Sequence, residues 1–157
     1  MAQTRARRKP SEAPSPGRAA ATYVLERQVG FLLRCAHQRA TETFNAVMGR
    51  FGVTPTQFAA LAKLDDLGSV SQNQLGRLTA MDPATISGVV SRLIARGLVR
   101  QAPDLKDARL VVLTLTPAGQ AAVTSMKAVA GNVSRRTLEP LTGAEAAQLL
   151  RALAKIC

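Results

Sequence analysis

From Tyr23 to Phe51 the apolar residues fall three or four positions apart: Leu25, Val29, Leu32, Ala36, Ala40, Phe44, Val47 and Phe51. That spacing predicts one amphipathic helix of about eight turns, ended by Gly52. At 1.5 Å per residue it would run about 45 Å, more than a domain of this size can cover alone, so the stripe calls for a partner chain. Each later helix carries its own start signal. Thr54-Pro55-Thr56-Gln57 and Ser71-Gln72-Asn73-Gln74 read as capping boxes, the second turning Leu75 and Leu78 inward. Asp82-Pro83 and Thr116-Pro117 are caps with proline in the first turn, and Thr142-Gly143-Ala144-Glu145 boxes the last helix. Between Gly97 and Thr116, Leu98–Gln101 and Leu110–Leu113 read as two short strands around a charged loop, Asp104-Leu105-Lys106-Asp107-Ala108-Arg109. The resulting order is α-α-α-α-β-β-α-α, a mainly α (α+β) chain.

The segment from Ser71 to Gly119 therefore reads as a short helix, a tight turn, a second helix and a two-stranded wing. A helix–turn–helix of this kind places its second helix in a DNA major groove. On that helix Ile86, Val89, Val90, Leu93 and Ile94 share one face and are expected in the core. The opposite face is Ala84, Gly88, Ser91 and Ala95, flanked by Thr85, Ser87 and Arg92, and small residues let a helix approach base edges closely. Base readout is assigned to Thr85, Ser87, Ser91 and Arg92, since arginine bidentate to guanine is the commonest specific contact. Gln72 and Asn73 are placed at backbone or groove edge. The free N–H groups from about Ala84 onward would suit a phosphate. Lys106 and Arg109 are placed in a minor-groove finger, with Asp107 holding the arginine. The plainer alternative for each residue is a solvated helix face, or a surface ion pair worth about 0–1 kcal/mol.

Charge strengthens the nucleic-acid reading. The 157 residues carry a net charge of +11, which points to a polyanionic partner. Residues 1–22 account for +4 of it, and their three prolines oppose an amphipathic helix. They read as a disordered basic arm. Aromatic residues make up 3% of the chain, which disfavours single-strand and RNA platforms that stack bases on rings. Two cysteines suit a reducing cytoplasm and no disulfide framework. No apolar run reaches the roughly 18–20 residues of a membrane span, so no membrane partner is expected.

Catalytic chemistry is poorly supported. His37 is the sole histidine and has no carboxylate cluster nearby in sequence, and no glycine-rich phosphate loop occurs. Cys35 and His37 point about 200° apart on a helix, a poor metal pair. No enzyme activity, cofactor or metal is expected. Cys35 is expected as a small buried residue. The alternative is an oxidant sensor, which would need an accessible thiol in an electropositive setting such as Arg34 or Arg39 could supply. A winged-helix module for protein–protein contact is the third reading.

The motifs Gln74-Leu75-Gly76-Arg77-Leu78, Thr85-Ile86-Ser87, Leu93–Arg100 and Asp107-Ala108-Arg109 followed by Leu115-Thr116-Pro117-Ala118-Gly119 resemble the MarR family of bacterial transcription regulators. The resemblance spans about residues 23–157. Within the family, Val29–Arg34, Thr54–Leu61 and Ser71–Leu75 are similar to repressors of nicotinic-acid degradation genes, which respond to 6-hydroxynicotinic acid. Gly88 within the helix and the Asp-Leu-Lys-Asp-Ala-Arg wing depart from the commoner family pattern. The resemblance implies a homodimer built from helices at 23–51 and 117–157, with a winged lobe at 54–116 binding double-stranded DNA. Independently, Leu138, Leu141, Leu149, Leu150, Leu153 and Ile156 form an apolar end-piece beside the long first helix. The resemblance further implies a pocket for a small aromatic acid, lined by Arg34, His37, Gln38, Thr54, Gln57 and Phe58. An aromatic carboxylate would want a cation, an apolar wall and a polar pair there. The expectation is a cytoplasmic, nucleoid-associated repressor released from a pseudo-palindromic operator by such an acid.

Overall fold

The computed structural model describes residues 23–104, 107 and 110–157. The arm expected at 1–22 and the wing cations Lys106 and Arg109 lie outside them. Among the described residues six α-helices and three strands follow one another as α1 (Val29–Met48), α2 (Pro55–Leu67), β1 (Ser69–Val70), α3 (Gln72–Leu78), α4 (Pro83–Ala95), β2 (Val99–Pro103), β3 (Val111–Leu115), α5 (Pro117–Thr137) and α6 (Gly143–Leu153). The strand order is β1-β3-β2, antiparallel throughout. This is a winged helix–turn–helix, with one strand more than the pattern predicts. β1 is only two residues long, too short to show an alternation, yet it pairs Val70 with Leu113.

The first helix is shorter than expected. Single 3-10 turns at Leu25–Arg27 and Gly49–Phe51 flank the 20-residue α1, which is therefore about 30 Å long. Gly52 closes the segment with φ 61°, a left-handed conformation glycine takes without steric cost. Capping follows the sequence closely. Thr54 and Thr142 form full capping boxes with Gln57 and Glu145, whereas Ser71 accepts from the Gln74 N–H without the return contact. Both wing strands end two residues further along the chain than expected, at Pro103 and Leu115, and the register pairs Val99 with Leu115 and Pro103 with Val111. Leu110 consequently falls outside β3 and is exposed.

The core joins Phe44, Met48, Leu61, Leu64, Leu75, Ile86, Val89, Val90, Leu93, Leu113, Val123 and Met126. Two expected core residues sit outside it. Leu78 is 46% and Ile94 37% exposed, since both lie at the edge of their helix's apolar stripe. Gly119 fixes the junction between wing and α5. A Cβ there would overlap the Leu98 carbonyl, whose carbon would be 2.9 Å away. Next to it, Thr116 Oγ1 donates to the Gly97 carbonyl (2.6 Å) and accepts the Gly119 N–H (3.0 Å). The Leu-Thr-x-x-Gly run is thus a lock between wing and helix.

Candidate nucleic-acid interface and effector cavity

Helix α4 is held by its buried face: Ile86, Val89, Val90 and Leu93 point into the core. The other face is left to solvent. Ala84, Thr85, Ser87, Ser91 and Arg92 are exposed and Gly88 is half-buried. Gly88 lies under Arg92, whose Nη2 would be 3.3 Å from a Cβ at that position. The guanidinium thus folds back along the outward face instead of extending from it.

The N-terminus of α4 is not the open anion site expected. The Asp82 carboxylate accepts from the Ala84 and Thr85 N–H groups at 2.9 Å each, and the Thr85 hydroxyl donates to its second oxygen at 2.6 Å. The Thr85 hydroxyl and the backbone N–H groups hold the Asp82 carboxyl below its ordinary range. A negative charge already occupies the place a phosphate would take, so the donors are satisfied and the local field repels another anion. Thr85 keeps its acceptor capacity but has its proton committed.

Gln72 is half-buried and Asn73 exposed on α3. Asn73 lines a cleft of about 260 Å³ with Gly76, Arg77, Met81, Pro83 and Ile86, between the two helices of the motif. Arg77 was not among the sequence candidates. Its signal is the i, i+4 step from Asn73, which puts both on one face. Arg100, exposed on β2 and opposite Thr114, was missed too, being read only as a strand residue.

Of the six expected effector residues, His37 lines a cavity among the described residues. That cavity, about 220 Å³, is lined by His37, Ala40, Thr41, Phe44, Pro55 and Val133. The others are occupied elsewhere. Arg34 is exposed, with its guanidinium 5.2 Å from the Phe31 ring centre. Gln38 Nε2 donates to Glu42 at 3.2 Å. Thr54 and the buried Gln57 are spent on the capping box, where Gln57 Oε1 accepts the Thr54 N–H at 3.0 Å. Phe58 packs against the core, its ring 6.0 Å from that of Phe44. The missed wall residues Thr41 and Phe44 follow His37 at i+4 and i+7, a helical spacing that could have found them. Cys35, expected buried, is exposed, because no described residue packs over that face of the N-terminal half of α1.

Comparison with known proteins decides the family. A MarR family model matches residues 51–110. The chain is 39% identical to the HTH-type transcriptional repressor NicR of Pseudomonas putida, over 94% of this chain and 91% of that protein. The chain belongs to the MarR family. Among solved structures, a probable transcriptional regulator from Pseudomonas aeruginosa superposes with a TM-score of 0.81 at 46% identity, over 85% of this chain and all of that one. BpsR of Bordetella bronchiseptica, whose DNA binding is regulated by 6-hydroxynicotinic acid, superposes with a TM-score of 0.81 at 37% identity, covering 87% of this chain and 97% of its own. As a MarR-family protein the chain is a transcription regulator and not an enzyme. None of its described helices is long and apolar enough to cross a membrane.

Proposed function

We propose that this MarR-family protein is a cytoplasmic, homodimeric repressor that binds a pseudo-palindromic operator through α4 and leaves it when a small aromatic acid binds, 6-hydroxynicotinic acid being the first choice. The observation that carries the DNA half is the outward face of α4. Its small polar residues are exposed while the helix itself is fixed by four buried aliphatic side chains. Thr85, Ser87, Ser91 and Arg92 read bases, with Ala84 and Gly88 allowing the close approach. Gln72 and Asn73 contact the groove edge or backbone, and Lys106 and Arg109 serve the wing. The lobe at 54–116 reads DNA, and the helical regions at 23–51 and 117–157 form the dimer. Half-sites then lie about 10 bp apart, centre to centre.

Likeness to BpsR and NicR supports the choice of effector, and His37 supplies the ionisable wall group. Arg34 sits one turn away on α1 and can reach the carboxylate only by leaving Phe31. A ligand shifts the DNA equilibrium only by its differential affinity for two states, so a ten-fold release needs about 1.4 kcal/mol of coupling.

The test is a mobility-shift titration on DNA from the gene's own promoter, with and without 6-hydroxynicotinic acid. Arg92→Ala should weaken operator binding by about 1–3 kcal/mol and relax one base position. His37→Ala should keep DNA binding and blunt release by the acid. Failure of specific duplex binding with steep salt dependence would favour the protein-contact module. Release by peroxide that Cys35→Ser abolishes, without release by any aromatic acid, would favour a redox switch.

A further inference from the structure

A second cleft, about 400 Å³ and sharing no lining residue with the His37 cavity, is lined by Val47, Arg50, Val129, Asn132, Arg135 and Arg136. Two valines line it together with three arginines from two separate stretches of chain. Among the described residues no carboxylate lines it, and none pairs with these three arginines. Arg135 and Arg136 belong to the last turn of α5, where the helix dipole favours cations. That accounts for two of the charges. It does not account for Arg50, which arrives from the turn after α1 and adds a third positive charge to the same concavity.

Two of the three are also held in place. The Arg50 guanidinium stacks 4.8 Å from the Phe51 ring centre. Arg135 donates to Asn132 Oδ1 at 2.8 Å, which leaves the Asn132 amide N–H₂ to donate to an occupant. Guanidiniums fixed in advance lose less freedom on binding, and their paired N–H donors match phosphate and carboxylate oxygens two at a time. We propose that this cleft binds a compact polyanion carrying two or more phosphate or carboxylate groups, as a second ligand site separate from the His37 cavity. An occupant would bear on the turn that anchors α4. Arg96, at the C-terminal end of that helix, donates to the Phe51 and Gly52 carbonyls at 3.0 and 2.7 Å.

Binding can be measured without DNA. Pyrophosphate and citrate are titrated calorimetrically into the full-length protein, against chloride at matched ionic strength. The wild-type protein should bind one of the two anions at millimolar concentration or below. Arg50→Gln and Arg136→Gln should each weaken that binding ten-fold or more, with circular dichroism confirming the fold. Arg135→Gln provides a third variant should either lose structure, and His37→Ala should leave anion binding unchanged. Equal binding to wild type and all arginine variants, or none beyond the chloride control, overturns the proposal. So does a loss of duplex affinity and salt dependence in the variants with no added anion, because the cleft would then be a contact to the DNA backbone.

Discussion

The winged lobe and the helices at the ends of the chain meet the demand for burial differently. In the lobe Leu61, Leu64, Leu75, Ile86, Leu93 and Leu113 are at most 1% exposed. At the ends α6 buries no residue, α1 buries only Phe44 and Met48 in its second half, and α5 only Gly119, Val123 and Met126 in its first half. Val29, Leu32, Leu33, Leu149, Leu150 and Ile156 all stand exposed. A fully buried Leu or Ile is worth about 1.5–3 kcal/mol over an exposed one. The lobe therefore obtains its stability within one chain, whereas the ends carry exposed apolar surface that the homodimer proposed above would bury.

The strongest way to break the lobe is at its junction with α5, by Gly119→Ala. Its Cβ would overlap the Leu98 carbonyl, so either the wing or the start of α5 must move. A loss of about 4 kcal/mol in chemical denaturation is expected, in the class of steric strain at a special backbone position. A loss under about 1 kcal/mol would show that the junction is soft and that the lobe is not one closed unit.

The ends are tested by Leu149→Glu with Leu150→Glu. Both side chains are exposed on α6, so the subunit's own fold should be indifferent to the change. Subunit association should weaken by about 3 kcal/mol, or roughly 100-fold in dissociation constant. Light scattering at micromolar concentration should then report a monomer with an unaltered circular dichroism spectrum. An unchanged dimer would move the interface elsewhere.

The same contrast explains what could be read from sequence. Local signals carried the lobe well. Each of the caps at Thr54, Asp82, Thr116 and Thr142 needs only neighbours within three residues, and each forms as the side-chain chemistry requires. Periodicity alone overstated α1, because an apolar stripe does not register a 3-10 turn at Gly49–Phe51 or the lack, among the described residues, of a covering element. That lack is also why Cys35 is exposed. The effector site was the least legible part. Gln57 and Phe58 have suitable chemistry, but capping claims the first and core packing the second, and the packing demand comes from a residue distant in sequence, Phe44. The N-terminus of α4 failed as an anion site for a local reason that was available. Asp82 is itself the anion.

A smaller effect separates the regions from the stabilising side. Ala80, in the turn between α3 and α4, has φ 52°, in the left-handed region. The turn is held there by the Met81 N–H donating to the Gly76 carbonyl at 2.9 Å. A non-glycine residue in that conformation costs about 1–2 kcal/mol. Ala80→Gly should therefore gain about 0.5–1 kcal/mol, part of the relief being offset by the extra freedom of glycine when unfolded. The gain should show in unfolding of the lobe and leave subunit association unchanged.

The last prediction concerns the ionic tie between the two regions. Lys127 on α5 bonds Asp65 and Asp66 at the end of α2, at 2.5 and 2.7 Å, and Gln120 also donates to Asp65. The Lys127 ammonium and then the Gln120 amide hold the Asp65 carboxyl below its ordinary value of 3.8, while the two carboxylates hold Lys127 above its ordinary 10.5. Asp65 binds protons less readily folded than unfolded, so its contribution is complete above pH 3.8 and is lost as pH falls through the lower folded value. Lys127 has the opposite sign. Its contribution is complete below pH 10.5 and is lost as pH rises through the higher folded value. Lys127 and Asp66 are exposed and Asp65 is half-buried, so salt screens the tie and the effect is small. Stability measured from pH 2 to 5 should fall towards acid less steeply in Asp65→Asn than in wild type, with the difference shrinking in high salt. Parallel acid limbs in the two proteins would mean that the tie does not join the lobe to α5 in solution.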